Sequence, residues 1–345
     1  MATLKKIGEE LGLSVTTVSR ALNGFPEVKE TTRKRVRETA DRLGYRPNRV
    51  AQRLVTGRSG MVGMVLRIKP DMSADQTFFE TLLGLTAALA ARETDLVLAV
   101  DQGTDPILPY QKLLERDVLD GFILNAPVPD DPRVAFLKER GIPFVLHGQD
   151  RPEPDYPTYG IDNAAVSGDS VRLLAQLGHR RIALINGDLS AAYAHDRATG
   201  FRETMAEFGL DADLTHHGAS VESHGYMAAL DLLSVASPPT AFICAATPIA
   251  AGAMRALRHR GIRVPEDVSV MAHDDALPQT RAISFDPALT VTHAPMRDAC
   301  VPLAEMLVDH LNGTPAQDLQ VIVRADLIIR GSTGPAPERA MPDGP

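Results

Sequence analysis

The stretch LGLSVTTVSRALNG, residues 11–24, gathers Ser14, Thr16, Thr17, Ser19, Arg20 and Asn23. The chemistry these side chains offer is hydrogen bonding rather than bond-making. A guanidinium can bond two acceptors of a guanine edge at once, and Ser and Thr hydroxyls can bond phosphates or base edges. Elsewhere the chain carries no G-x-G-x-x-G after its first strand-like run, and no G-x-x-x-x-G-K-[ST], H-E-x-x-H or G-x-S-x-G. The ten histidines are scattered, and the adjacent pair His216–His217 cannot share a helix face. Cys244 and Cys300 are too few for a disulfide framework or a Cys-rich metal site. The expectation is no catalytic residue, no metal site and no cofactor.

Three short helices position the polar stretch. Leu4, Ile7 and Leu11 recur at helical spacing behind Thr3, a capping residue. Gly12 suits a left-handed turn, and Ser14 can cap a second helix from Val15 to Leu22, with Val18 and Leu22 facing inward. A third helix has Val36, Ala40 and Leu43 as its buried stripe and Gly44 as its stop. Three such helices form a helix-turn-helix unit, and its second helix is narrow enough to enter the major groove of DNA.

Charge supports that reading. Of 345 residues, the first sixty hold thirteen Lys and Arg against six Asp and Glu, a surplus of seven positive charges. The whole chain stands at −8, so the remainder carries −15. A basic head suits a polyanion, and an acidic body does not. After Pro47, the segment from Asn48 to Gly57 reads as one more helix, with Val50, Ala51 and Leu54 lacking a core to join. At about nine residues it falls short of the roughly 12–15 at which isolated helices become marginal in water, so it should fold only against a partner.

From Met61 the texture changes. MVGMVL, DLVLAV, GFILN, PFVLH, RIALIN, AFICA and VSVMAHDD read as buried parallel strands, separated by amphipathic helices at 79–92, 164–178, 197–208 and 249–261. The fold class is therefore α/β, an all-α head followed by doubly wound sheets, whose ligands bind outside the carboxyl ends of the strands. MATLKKIGEE has no apolar run after its lysines, and no stretch approaches the roughly 20 apolar residues that span a bilayer. A cytoplasmic protein is expected.

VTTVSRALNG followed by GYRPNRVAQRL resembles the head and hinge of the lactose/galactose-repressor (LacI/GalR) family of bacterial transcriptional regulators. FFETLLGL, LGHRRIALING, RATGFRETM and VPEDVSVMAHDD resemble successive landmarks of that family's effector domain, so the likeness runs to about Arg330. It implies a homodimeric repressor of pseudo-palindromic operator DNA. Val15, Thr16 and Arg20 would read bases; Thr3, Ser14, Thr17, Ser19, Asn23, Thr32, Tyr45 and Asn48 would hold phosphates. Leu54 would wedge into the minor groove beside its symmetry mate. Lys29 stands where the family often has a capping Ser or Thr, which weakens the third helix's cap.

The resemblance further implies a helix-turn-helix domain at 1–46, a hinge at 47–59 and a two-lobed effector and dimerisation domain at 60–330, like periplasmic sugar-binding proteins. The N-lobe would comprise about 60–160 and 290–319, the C-lobe about 161–289 and 320–330, with crossings near Ile161, Leu289 and Leu319. Phe78, Phe79, His147, Tyr193, Arg197 and Asp274 would line the cleft between lobes around a small molecule, by family habit a carbohydrate, with α-glucosides and related disaccharides favoured. Asp275 would be structural. Several positions depart from the family: His147 and Gly148 replace an acidic neighbourhood, Ala246 and Thr247 an Asn-Asp pair, and Ala294 and Met296 polar and aromatic residues. The Pro- and Gly-rich segment 331–345 is expected to be disordered. The rival reading is a cytoplasmic α/β enzyme with a fused nucleic-acid-binding head.

Overall fold

The computed structural model describes residues 3–22, 25–45, 58–67 and 76–338. It divides into two units, residues 1–59 and 60–345.

The first unit contains helices Leu4–Leu11, Val15–Leu22 and Glu30–Arg42. Thr3 Oγ1 accepts from the Lys6 amide, and Gly12 ends the first helix at φ +67°. Ser14 Oγ accepts from the Thr17 amide at 3.1 Å and bonds Thr17 Oγ1 at 2.8 Å, so both caps form as the sequence suggests. Lys29 makes no side-chain cap to the third helix. Ile7, Val18, Ala21, Val28, Val36 and Ala40 form the core, with Leu22, Leu43 and Tyr45 packed against it. Ala21, rather than Leu22, is the fully buried partner of Val18.

The second unit is built on two six-stranded sheets. In the first, β1 (Met61–Arg67), β2 (Asp95–Asp101), β3 (Gly121–Leu124), β4 (Phe144–His147), β5 (Thr158–Ile161) and β11 (Gln320–Val323) lie in the order β11-β5-β4-β3-β1-β2, all parallel. In the second, β6 (Ile182–Asn186), β7 (Thr215–His217), β8 (Ala241–Cys244), β9 (Ser269–Asp274), β10 (Thr290–His293) and β12 (Asp326–Ile328) lie in the order β12-β10-β9-β8-β6-β7; only β12 runs antiparallel. β3, β6, β8 and β9 are buried along their whole length, the signature of strands covered by helices on both faces. This is the α/β architecture the apolar runs indicate.

Two crossings fall later than expected. Thr290–His293 pairs in parallel with Met271–Asp274, so the chain leaves the second sheet after His293, not near Leu289. Gln320–Val323 pairs with Thr158–Ile161, so the last crossing follows Val323, not Leu319. A strand satisfies its amides by completing a ladder before it departs, and sequence similarity does not mark where pairing stops. Ile161, Ala294 and Ala325, one from each crossing, pack together with Val166.

The expectation of disorder beyond Gly331 also fails for residues 331–338. Ser332 is buried; its hydroxyl donates to the Val270 carbonyl at 2.6 Å and accepts from the Thr290 amide at 2.8 Å, while its own carbonyl accepts from Val270 N. Further on, the Gly334 carbonyl meets His179 Nε2 at 3.1 Å, and Ala336 N donates to Leu177 O. Composition suggested a tail, but the second sheet offers buried backbone groups that this segment satisfies. Residues 339–345 lie outside the described set.

Candidate functional site

On the head, the helix Val15–Leu22 turns Val18 and Ala21 into the core and leaves Val15 (47% exposed), Thr16 and Arg20 outside. Those are the three residues expected to read base edges. Ser14 is exposed, and Thr17 and Ser19 are half-buried along the same helix. Thr3 caps the first helix, Thr32 sits in the first turn of the third, and Tyr45 packs on the core just beyond it. Asn23, Asn48 and Leu54 fall outside the described residues.

In the body, the strands of both sheets end on a common polar region. β3 ends at Leu124, followed by Asn125, and β4 ends at His147; His147 Nδ1 lies 3.1 Å from Asn125 Oδ1. From the second lobe, the helix Ala192–Glu207 supplies Tyr193 and Arg197. Arg197 is only 5% exposed. Its Nε donates to Asn163 Oδ1 at 2.9 Å and its Nη1 to the Ala245 carbonyl at 2.5 Å. Gly200, one turn further along, makes this possible: a Cβ there would collide with the Ala164 carbonyl, so only glycine lets this helix approach the helix Asn163–Gln176. The Arg197 guanidinium also stands 5.1 Å from the Tyr193 ring, whose hydroxyl lies 3.2 Å from Ser220 Oγ. The lobes touch where Ala192 N donates to the Pro127 carbonyl at 2.9 Å.

The two aspartates at the end of β9, Asp274 closing the strand and Asp275 following it, lie in different surroundings. Asp274 Oδ1 accepts from the Ala276 amide at 2.9 Å and Oδ2 meets His293 Nδ1 at 3.1 Å, so Asp274 braces the turn and the neighbouring strand. Asp275 interacts instead with His273, with Arg197 of its own lobe and with His147 of the other. Its Oδ1 lies 3.2 Å from His273 Nε2. Burial pushes the Asp275 carboxyl up, yet those three groups outweigh burial and hold it below the ordinary carboxylate value. Burial lowers the His147 imidazole to about 4 against the opposing pull of Asp275, so it is neutral at physiological pH. Asp274 closes β9 and Asp275 follows it, so the two carboxylates leave the chain in different directions.

The other expected positions divide. Phe79 is 52% exposed, on the same helical face as the exposed Leu83, and nothing is described of the Phe78 side chain. Ala246 is buried in the core of the second lobe, Thr247 Oγ1 bonds Thr280 Oγ1 at 3.0 Å, and Ala294 belongs to the crossing cluster. Asn125 and Asn163 are polar residues that sequence reading passed over, although Asn125 directly follows an apolar run and Asn163 opens a helix. Arg197, Asp275, His147 and Asn125 together offer a fixed cationic fork, a carboxylate and neutral hydrogen-bonding groups, a set suited to hydroxyls. Among the described residues, no group of three or more His, Cys, Asp or Glu could hold a metal ion. No described helix is long and apolar enough to cross a membrane.

Comparison with known proteins supplies the context. Residues 3–48 match the family described as bacterial regulatory proteins, lacI family, and residues 171–333 match the periplasmic binding protein-like domain. The HTH-type transcriptional regulator AglR of Rhizobium meliloti is 41% identical over 340 residues, 98% of this chain and 96% of that protein. A solved complex of the transcriptional regulator CelR with cellobiose superposes with a TM-score of 0.70 at 29% identity, covering 96% of this chain and 100% of that one. The lac repressor dimer bound to operator and an anti-inducer shares the fold, with a TM-score of 0.76 at 23% identity over 96% of this chain and 99% of that one. These relatives are regulators, not α/β enzymes with a nucleic-acid-binding head.

Proposed function

The chain belongs to the lacI family of bacterial transcriptional regulators, and from that premise we propose that it is a cytoplasmic, homodimeric repressor released from its operator by a neutral disaccharide. Residues 1–46 serve as the DNA-reading head, 47–59 as the hinge and 60–338 as the effector and dimerisation body. Val15, Thr16 and Arg20 contact base edges; Thr3, Ser14, Thr17, Ser19, Asn23, Thr32, Tyr45 and Asn48 contact phosphates; Leu54 enters the minor groove. The sugar sits among His147, Tyr193, Arg197 and Asp275.

The observation that carries this reading is that the Asp275 carboxylate interacts electrostatically with Arg197 of its own lobe and His147 of the other. A polyol bound there engages both lobes at once and so favours one arrangement of them over another. A ligand shifts an equilibrium only by its differential affinity for the two states. A coupling of about 1–3 kcal/mol changes operator affinity roughly 5–150-fold, and by linkage operator DNA weakens the sugar equally. The solved CelR–cellobiose complex supports a disaccharide. The exposed apolar side chains Phe79 and Leu83 of one helix and Leu98 and Val100 of β2 support a partner subunit.

The test is direct. Duplex is selected from a random pool by the purified protein, and its affinity is measured with and without maltose, trehalose, sucrose, raffinose and cellobiose. A palindromic consensus whose binding one of these sugars weakens supports the reading. Recovery of no duplex at low ionic strength overturns it.

A further inference from the structure

The body begins at Gly60, and Gly60 is gripped on both sides. Its amide donates to Asp120 Oδ2 at 2.8 Å, and its carbonyl accepts from the Asp95 amide at 2.8 Å. The next residue is held too, because Asp120 N donates to the Met61 carbonyl at 2.8 Å. Gly60 adopts φ +71°, a left-handed conformation that side-chain-bearing residues rarely take. The chain therefore enters β1 through a turn that hydrogen bonds, and not chain stiffness, must hold.

The place of this grip in the fold gives it meaning. Asp120 immediately precedes β3, and β3 pairs with β1 at Val62↔Gly121, in the interior of the first sheet. Asp95 begins β2, which pairs with β1 at Met61↔Asp95. One side-chain carboxylate thus fastens the first residue of the body to the middle of the first lobe. Without it the turn at Gly60 can open, and a movement of the lobe is taken up there instead of being passed to residues before it.

We infer that Asp120 is a positioning residue for the allosteric response: its carboxylate, by holding the Gly60 amide, makes the first residue of the body, to which the linker is joined, move rigidly with the first lobe. This rests on the regulator reading above. It concerns neither the sugar contacts nor the DNA contacts but the joint between them. Coupling between distant sites needs a contiguous element that keeps its shape while the states change, and a clasped turn is such an element.

The test uses the full chain, the duplex selected by the wild-type protein, and maltose and cellobiose as sugar probes. Three quantities are read for Asp120→Ala and Asp120→Asn: operator affinity with and without sugar, sugar affinity by calorimetry, and thermal stability. In Asp120→Ala, operator affinity should fall about tenfold and most of the sugar response should vanish, while sugar affinity stays within about twofold. Asp120→Asn should restore both, because an amide oxygen still accepts the Gly60 N–H. Hydrogen exchange at the Gly60 amide, measured in the wild type on DNA, should show protection, and it decides the matter even if the alanine variant does not fold. Free exchange of that amide overturns the inference. So does an alanine variant with wild-type operator affinity and sugar response, or one that loses sugar affinity and stability in step with operator affinity. A wild type that selects no duplex overturns the regulator reading and this inference with it, and that outcome is seen before any variant is made.

Discussion

Arg197 donates from Nε to Asn163 Oδ1 across 2.9 Å, tying the helix Ala192–Glu207 to the first residue of the helix Asn163–Gln176. A second bond to the Ala245 carbonyl fixes the guanidinium in a buried position. Planarity and two separated donors are what this site uses, and lysine has neither.

Arg197→Lys should therefore abolish release by sugar while leaving operator binding intact. Losing a hydrogen bond to a charged donor should also cost the body about 1.5–3 kcal/mol. Calorimetry with the sugar and anisotropy with the duplex separate the two effects. An unchanged sugar affinity in the variant would remove Arg197 from the site.

Asp274→Asn and Asp275→Asn should behave differently, although the residues are neighbours. Asp275→Asn removes the charge facing Arg197 and His147, so sugar affinity should fall at least about tenfold, corresponding to roughly 1.4 kcal/mol. Asp274→Asn disturbs the bonds to Ala276 N and His293, so thermal stability should fall while sugar affinity largely persists. The reverse pattern would restore the assignment expected from sequence.

Acid should weaken the body through its buried imidazoles. Burial lowers the pKa of His179 and His273, with Arg197 adding to the effect at His273, and burial takes His147 to about 4. Each folded pKa lies below the unfolded value of about 6.5, so below that pH the unfolded chain binds more protons than the folded one. Stability is complete above about pH 6.5 and declines below it by up to about 1.4 kcal/mol per pH unit for each group, His147 contributing until about pH 4. Urea titrations from pH 7.5 to 4.5 check this. A His179→Gln variant provides the contrast, since it removes one of the titrating imidazoles.

Ser332→Ala leaves the Val270 carbonyl and the Thr290 amide without the hydroxyl that serves both. A buried backbone group stripped of its partner costs about 1–3 kcal/mol. Truncation after Arg330 should cost more, because it also removes the Gly334 and Ala336 bonds. If truncation leaves the melting temperature unchanged, the segment is no part of the folded body.

Arg20→Ala should weaken operator binding by about 1–3 kcal/mol and relax the preference at one base position in each half-site. Repeating the duplex selection with the variant measures this. An unaltered consensus would place Arg20 on a phosphate instead of a base.

Local features were legible in the sequence because their causes are local. Thr3 and Ser14 cap the helices they precede, the turn at Gly12 follows, and Val18 points inward one turn from Ser14, all within a few residues of one another. The strands were equally visible, since burial on both faces demands unbroken apolar runs such as those of β6 and β8. Arg197 was expected through the likeness of RATGFRETM to the family, and the structure adds why Arg197 and Gly200 occur together: the glycine brings the helices close enough for the arginine to reach Asn163.

What the sequence by itself determined was a basic helical head, an acidic body of alternating strands and helices, and the residue types available for hydrogen bonding. Only the tertiary structure decided that Asp275 interacts electrostatically with Arg197 and His147 while Asp274 bonds Ala276 N and His293, that β10 and β11 complete a ladder before the chain crosses, and that residues 331–338 are bound to the second sheet. Capping and apolar periodicity act between residues a few positions apart. The orientation of a carboxylate, the end of a ladder and the docking of a tail depend instead on backbone groups and charges brought together from distant parts of the chain, and no local pattern encodes them.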